Sequence, residues 1–171
     1  MPIFDHITTE QADLIRESRI FFVGSVHPEL TLGPAGEGPL NVSPKGAVRL
    51  HVINEHRVAY LDFHGSGNET ARHAQAGGPV TVMVMSVDDQ NAAIVRLYGE
   101  ATATPIEKSP LLDQLLADPG EDLGRRRQVI EIQVERTQTS CGYGVPVFDY
   151  VADRVVEQRG RRYWPPRAQD V

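Results

Sequence analysis

The residues best suited to chemistry cluster around one glycine turn, Gly65-Ser66-Gly67-Asn68-Glu69-Thr70. A β-prone apolar run, Val58 to Phe63, leads into it, and a helical pattern from Asn68 to Ala76 leads out and stops at Gly77-Gly78. The two turn glycines allow positive φ and close backbone approach. A strand, a glycine turn and a helix start can direct backbone N–H groups at one point, which suits an anion. Ser66, Asn68 and Thr70 can add side-chain hydrogen bonds. An ordinary capped turn has the same composition, so both readings stand at this point. The pattern Gly65-x-Gly67-x-x-Thr70 lacks the third glycine of a dinucleotide fingerprint, and no glycine run followed by Lys-Ser or Lys-Thr marks a P-loop.

The charged candidates are few. Lys45, in Asn41-Val42-Ser43-Pro44-Lys45-Gly46, could supply positive charge to an anion or be a solvated turn lysine. Arg96, flanked by Ile94 and Tyr98 in a strand pattern, needs a partner, for which Asp62 and Glu69 are the candidates. His64 and His73 bracket the turn but lack the further ligands a metal site requires. Cys141 has no neighbouring Lys or Arg to lower its pKa and reads as an inert loop cysteine. Arg125-Arg126-Arg127 and the arginines at 159, 161 and 162 read as solvated faces. Two glycosylation sequons, at Asn41 and Asn68, carry meaning only in a secreted protein.

The elements that must position these residues follow from pattern. Thr8 with Gln11 predicts a capping box opening a helix that runs to Arg19. Ile20–Val26 reads as a strand, His27–Pro39 as a Pro- and Gly-rich loop, Leu40–Ser43 as a short strand ending at Pro44, and Ala47–Ile53 as another strand. Pro79–Val87 and Ala92–Thr104 are long strands. Ser109 is expected to cap a short helix with Pro110 at its first position, and Gln128–Thr137 alternates cleanly as a half-wet strand. Ser140–Pro146 reads as a loop, Phe148, Val151 and Val155 predict a last helix, and the tail with Trp164 reads as extended. Six or seven strands joined mostly by short turns predict a mainly β, α+β antiparallel barrel with helical decorations. Residues 1–171 read as one domain, with a core over 20–137 and a C-terminal loop, helix and tail over 138–171.

Composition narrows the function classes. The 171 residues carry a formal net charge of −6, which argues against nucleic acid or an anionic membrane as a partner. The single cysteine excludes an intrachain disulfide framework and suits a reducing compartment, hence a cytoplasmic expectation. The N-terminus has no basic region before an apolar run, so no signal peptide is expected, and no apolar stretch has membrane-spanning length.

Three stretches together carry a resemblance: Asn41 to Gly46, the Val58 strand with Gly65-Ser66, and Ile94-Val95-Arg96-Leu97-Tyr98-Gly99. Over roughly residues 20 to 104 the chain resembles the pyridoxamine 5′-phosphate oxidase-like family. The resemblance implies a split barrel, FMN bound at a homodimer interface, and a small-molecule substrate. It implies flavin-facing positions at Ser43, Lys45, Asp62, Gly65, Ser66, Asn68, Thr70 and Arg96. Lys45 and Arg96 would face the flavin phosphate or the reduced ring. The true oxidases follow the Gly-Ser turn with an Arg-Lys phosphate clamp, where this chain has Gly67-Asn68. They also end in a Trp-containing motif that Arg162-Tyr163-Trp164-Pro165-Pro166 does not match. The resemblance therefore points to an FMN-dependent oxidoreductase other than a pyridoxamine phosphate oxidase. A non-catalytic flavin or cofactor binder, and a dimeric interaction module without flavin, are the alternatives.

Overall fold

The structure is a computed structural model that describes residues 1–65, 67–118, 121 and 123–154. Its eight strands form one antiparallel sheet: β1 (Ile3–Phe4), β2 (Ile20–Val26), β3 (Leu40–Gly46), β4 (His51–Asn54), β5 (Arg57–Phe63), β6 (Pro79–Met85), β7 (Ala93–Pro105) and β8 (Arg126–Cys141). The order is β3-β2-β6-β7-β8-β5-β4, with β1 added to β8. Strands β3 and β4 are the two ends of this order, so the curled sheet is split between them. Helix α1 (Thr9–Glu17) follows β1, α2 (Glu69–Gln75) follows β5, and a 3-10 turn (Ile106–Lys108) with α3 (Leu112–Leu116) follows β7.

The barrel and its decorations follow the expected plan, with differences that have local causes. Strand β1 is two residues long, too short to show alternation, and is recruited only by pairing Ile3 with Gln138 and Phe4 with Thr137. Strand β3 runs through Pro44 to Gly46 because it is an edge strand, where the missing N–H of proline costs no ladder bond. The strand expected from Ala47 begins only at His51, since Ala47 adopts a left-handed turn with φ 56°. The helix expected at Ser109 starts later, at Leu112, and Ser109 Oγ instead accepts from Leu111 N at 3.3 Å. Strand β8 extends from Arg126 to Cys141, past both expected ends. Residues 148–154 are not helical; the rest of that expected helix, and the Trp164 tail, lie outside the described residues.

The capping box of α1 forms as its sequence predicts. Thr8 Oγ1 accepts from Gln11 N at 3.3 Å, and Gln11 Oε1 accepts from Thr8 N at 3.0 Å. Gln11 Nε2 then donates to Thr139 Oγ1 at 3.0 Å, tying the helix start to β8.

Burial explains the apolar run of β5. Val58 and Tyr60 face the barrel interior with Phe21, Val23, Val82, Leu97 and Ile132. Ala59 and Leu61 face outward, under Leu111 and Leu115 of the α3 region. With both faces covered, the strand carries a continuous apolar sequence instead of an alternating one. Asp62 interrupts that run, and it is buried.

Candidate functional site

The site is built where β5 ends. In β3 the residues Asn41, Ser43 and Lys45 alternate inward, while Leu40, Val42 and Pro44 point out. Lys45 reaches across the split from β3 to β5. Its Nζ lies 3.2 Å from Asp62 Oδ1 and 5.7 Å from the centre of the Tyr60 ring. Asp62 pairs across the sheet with Gln128, but Phe63 pairs with Arg126, so β8 has one extra residue, Arg127, at this bulge. Such a bulge re-aims a side chain. Here Arg127 Nε donates to Asp62 Oδ2 at 3.0 Å, and Nη2 donates to Gly67 O at 2.6 Å. Gln128 Nε2 donates both to Asp62 Oδ2 and to Asn68 Oδ1, each at 2.9 Å.

Thus Lys45, Arg127 and Gln128 all converge on one carboxylate, and the latter two also hold the glycine turn against β8. The cluster contains two cations and one anion. The Lys45 and Arg127 side chains retain 20% and 21% exposure, whereas Asp62 retains 7%, so the uncompensated positive charge lies on the open side.

A second, neutral group lies beside it. Asn41 Nδ2 is 3.4 Å from Ser43 Oγ, 3.4 Å from Thr70 Oγ1 and 3.5 Å from Ser25 Oγ. Ser25 Oγ is 3.0 Å from His73 Nδ1. Burial holds the His73 imidazole below its ordinary value. Tyr60 is fully buried, and its hydroxyl has no hydrogen-bond partner among the described residues. Burial, reinforced by the Asp62 charge, pushes the phenol well above its ordinary value, so it stays protonated.

Of the positions singled out from sequence, the structure brings Ser43, Lys45, Asp62, Asn68 and Thr70 together, with Gly65 at the end of the turn. Ser66 lies outside the described residues. Arg96 is not brought to the cluster. It alternates with Val95 and Leu97, which face the core, so it points from the opposite face of the sheet. Its partner is Ser140, whose Oγ accepts from Nη1 at 2.9 Å; neither Asp62 nor Glu69 takes that place.

The turn also differs from expectation. Gly65 does not have positive φ. A Cβ on Gly67 would lie 2.5 Å from Glu69 Oε2, the far end of a flexible side chain that can move aside, and one on Gly65 would meet nothing within 4 Å. Asn68 makes no side-chain cap, and the helix that follows has seven residues, with Glu69 in its first turn. The carboxylate of Glu69 therefore already occupies the side of the turn where an anion was expected.

Of the Arg125-Arg126-Arg127 run, Arg125 is exposed as expected and the other two are not. Arg126 is buried, with its guanidinium 3.7 Å from the centre of the Phe63 ring, and Arg127 joins the site. The signal that could have found Arg127 was the buried Asp62, whose charge demands more than one donor. Among the described residues no group of three His, Cys, Asp or Glu side chains is placed to hold a metal.

Comparison with known proteins agrees with the architecture. No family model matches the chain. It is 34% identical over 158 residues to an Aspergillus flavus protein described as pyridoxamine 5′-phosphate oxidase family protein ustO, a match covering 90% of this chain. The chain spans 59% of the length of that relative. Among solved structures, a candidate pyridoxamine 5′-phosphate oxidase from Lactobacillus delbrueckii superposes with a TM-score of 0.56 at 17% identity, covering 79% of this chain and 95% of the other. HupZ from Group A Streptococcus superposes with a TM-score of 0.55 at 24% identity, covering 77% and 91%. At such identities these two speak for the fold. In sequence along nine-tenths of its length the chain is similar to a pyridoxamine 5′-phosphate oxidase family protein, and in the order of its strands it is a split barrel.

Proposed function

We propose that the protein is an FMN-dependent oxidoreductase acting on a small-molecule substrate, distinct from a pyridoxamine phosphate oxidase. The observation that carries this reading is the charge of the Asp62 cluster. Two cations share one carboxylate at a half-open position beside the glycine turn, and a surplus cation there favours an anion such as a phosphate monoester. The residues present fit the phosphate on the β3 and β8 side of the turn. They do not fit it at the start of α2, where Glu69 repels it.

When bound, the flavin supplies a two-electron centre that accepts or returns a hydride. The chain supplies binding and orientation. Lys45 holds the phosphate, Gln128 fixes the orientation of the Asn68 amide, and Ser43, Asn41 and Thr70 offer neutral hydrogen bonds next to it.

The cleft is completed by a second copy of the chain. The outward face of β3, β2, β6 and β7 carries Val42, Phe22, Met83 and Ile94, and Ile20, Leu40 and Val42 are exposed on it. Arg96 is on this same face, so it would meet the flavin across the dimer and not within its own barrel. A free thiol, Cys141, suits the reducing cytoplasm as the site of action. No helix among the described residues is long and apolar enough to cross a membrane.

The test is the visible absorbance of the purified protein after incubation with FMN, followed by anaerobic addition of NADH or NADPH. Bound flavin that bleaches with either reductant supports the oxidoreductase reading. Bound flavin inert to both leaves a non-catalytic binder, and no bound flavin leaves the dimeric interaction module. Sedimentation as a monomer at micromolar concentration counts against the shared cleft.

A further inference from the structure

The family's Arg-Lys clamp is missing from the turn itself, since positions 67 and 68 are Gly and Asn. The structure sets a guanidinium from another strand, β8, against the carbonyl of Gly67. We infer that Arg127, delivered by the β8 bulge, is the residue that selects a phosphate-bearing ligand over its phosphate-free analogue. This inference rests on the flavin reading for the identity of the ligand, but not for the presence of an anion site.

Four observations support it. First, Arg127 is the extra residue of the bulge between Asp62 and Phe63, so its side chain reaches the end of β5 where a regular register would have turned it away. Second, its Nη2 is 2.6 Å from Gly67 O, which places the positive charge against the turn position where the family carries its arginine. Third, its Nε and Nη2 bind Asp62 and Gly67, while Nη1 makes no hydrogen bond among the described residues, so two N–H donors remain for a ligand. Fourth, Arg127 shares Asp62 with Lys45, so the two cations together carry one positive charge more than that carboxylate neutralises. A guanidinium is suited to this double role, because its planar fork can keep the turn with one edge and meet a phosphate with another.

The alternative is that Arg127 only ties down the turn. The two roles separate by comparing FMN with riboflavin, which shares everything but the phosphate. A merely structural arginine would weaken both ligands alike on removal. A phosphate-selecting arginine would weaken FMN alone.

The experiment is titration of the full chain, and of its Arg127→Gln and Arg127→Lys variants, with FMN and with riboflavin. Thermal unfolding of each variant checks that the fold is retained. The expected result for Arg127→Gln is a loss of FMN affinity of about tenfold to a hundredfold, the size of a hydrogen bond to a charged group, with riboflavin nearly unchanged. Arg127→Lys should recover part of the preference, since it keeps the charge but loses the fork. An FMN-to-riboflavin preference unchanged in Arg127→Gln overturns the inference. If the parent binds neither flavin, the same variants are titrated calorimetrically with inorganic phosphate and pyrophosphate. Binding in the parent that is lost in Arg127→Gln then keeps the anion site while removing the flavin reading. No binding of either anion by the parent overturns both.

Discussion

Arg126 and Arg127 are neighbours in sequence and lead opposite lives. Arg126 turns to a buried carboxylate, Glu121, whose side chain has no exposure. Its Nη2 is 3.6 Å from Glu121 Oε2 and donates to Ala47 O at 2.9 Å, and its guanidinium lies over Phe63. Glu121 is also approached by His51 Nε2 at 3.5 Å and accepts from Arg49 N at 2.5 Å. That cluster pairs one arginine with one carboxylate and is closed to water. Arg127 turns to Asp62, shares it with Lys45, and keeps a fifth of its side-chain surface open. A balanced, dry ion pair fixes the segment before β8 to the one before β4. An unbalanced, half-wet one is left with charge for a ligand. The chemistry of the groups is the same in both places, and the count of cations and the access of water divide structure from site.

The largest effect should come from breaking the dry pair. Arg126→Ala leaves Glu121 buried without its cation, and the expected loss of stability is about 3–5 kcal/mol, measured by urea unfolding. At ligand concentrations that saturate the folded fraction, its FMN-to-riboflavin preference should match the parent's. A variant of full stability would show that this pair does not hold the fold.

Next in size is Lys45→Ala. It should weaken FMN by roughly 1.5–3 kcal/mol while moving the unfolding midpoint far less than Arg126→Ala does. Lys45→Arg should recover part of the binding. Unchanged FMN affinity in Lys45→Ala would move the phosphate away from the cluster.

How much of this contrast could be read from sequence depends on register. The β5 strand and the glycine turn were legible as local patterns, and the resemblance placed Lys45 at the site, but its pairing with Asp62 was not read, because Asp62 was a candidate partner for Arg96. The α1 cap was legible too, since it needs only Thr8 and Gln11. Arg126 and Arg127 looked alike because their difference arises at a β-bulge, where alternation fails by one residue. Arg96 illustrates the same limit from the other side. Its strand was recognised, but which face held the core was decided by pairing with β6 and β8, which no local pattern encodes. The positive φ expected of the turn is absent at Gly65, where an added Cβ would meet nothing within 4 Å.

A smaller effect is expected from pH. His73 is buried beside Ser25, and its pKa is depressed in the folded chain. Its ordinary value is 6.5, so the unfolded chain takes up the proton first as pH falls. Stability attributable to neutral His73 is therefore complete above that value and declines as pH drops below it. His73→Gln should flatten that part of the pH–stability curve. An unchanged slope would assign it to other groups.

The smallest effect concerns the missing clamp. Gly67→Arg restores the family's residue, but the new side chain would meet the Glu69 carboxylate and be neutralised there. FMN affinity should change by less than about 0.5 kcal/mol, the scale of an exposed pair. Gly67→Arg combined with Glu69→Gln should bind FMN more tightly than the parent. Equal gain in the single and double variants would show that Glu69 does not compete.

A phosphate held by surplus positive charge around Asp62 should be visible in titrations of the unmodified protein with FMN and riboflavin at low and high salt. FMN should bind more tightly, and its advantage should shrink as salt screens the exposed sides of Lys45 and Arg127. Equal affinity for the two ligands at low salt would contradict a phosphate held there.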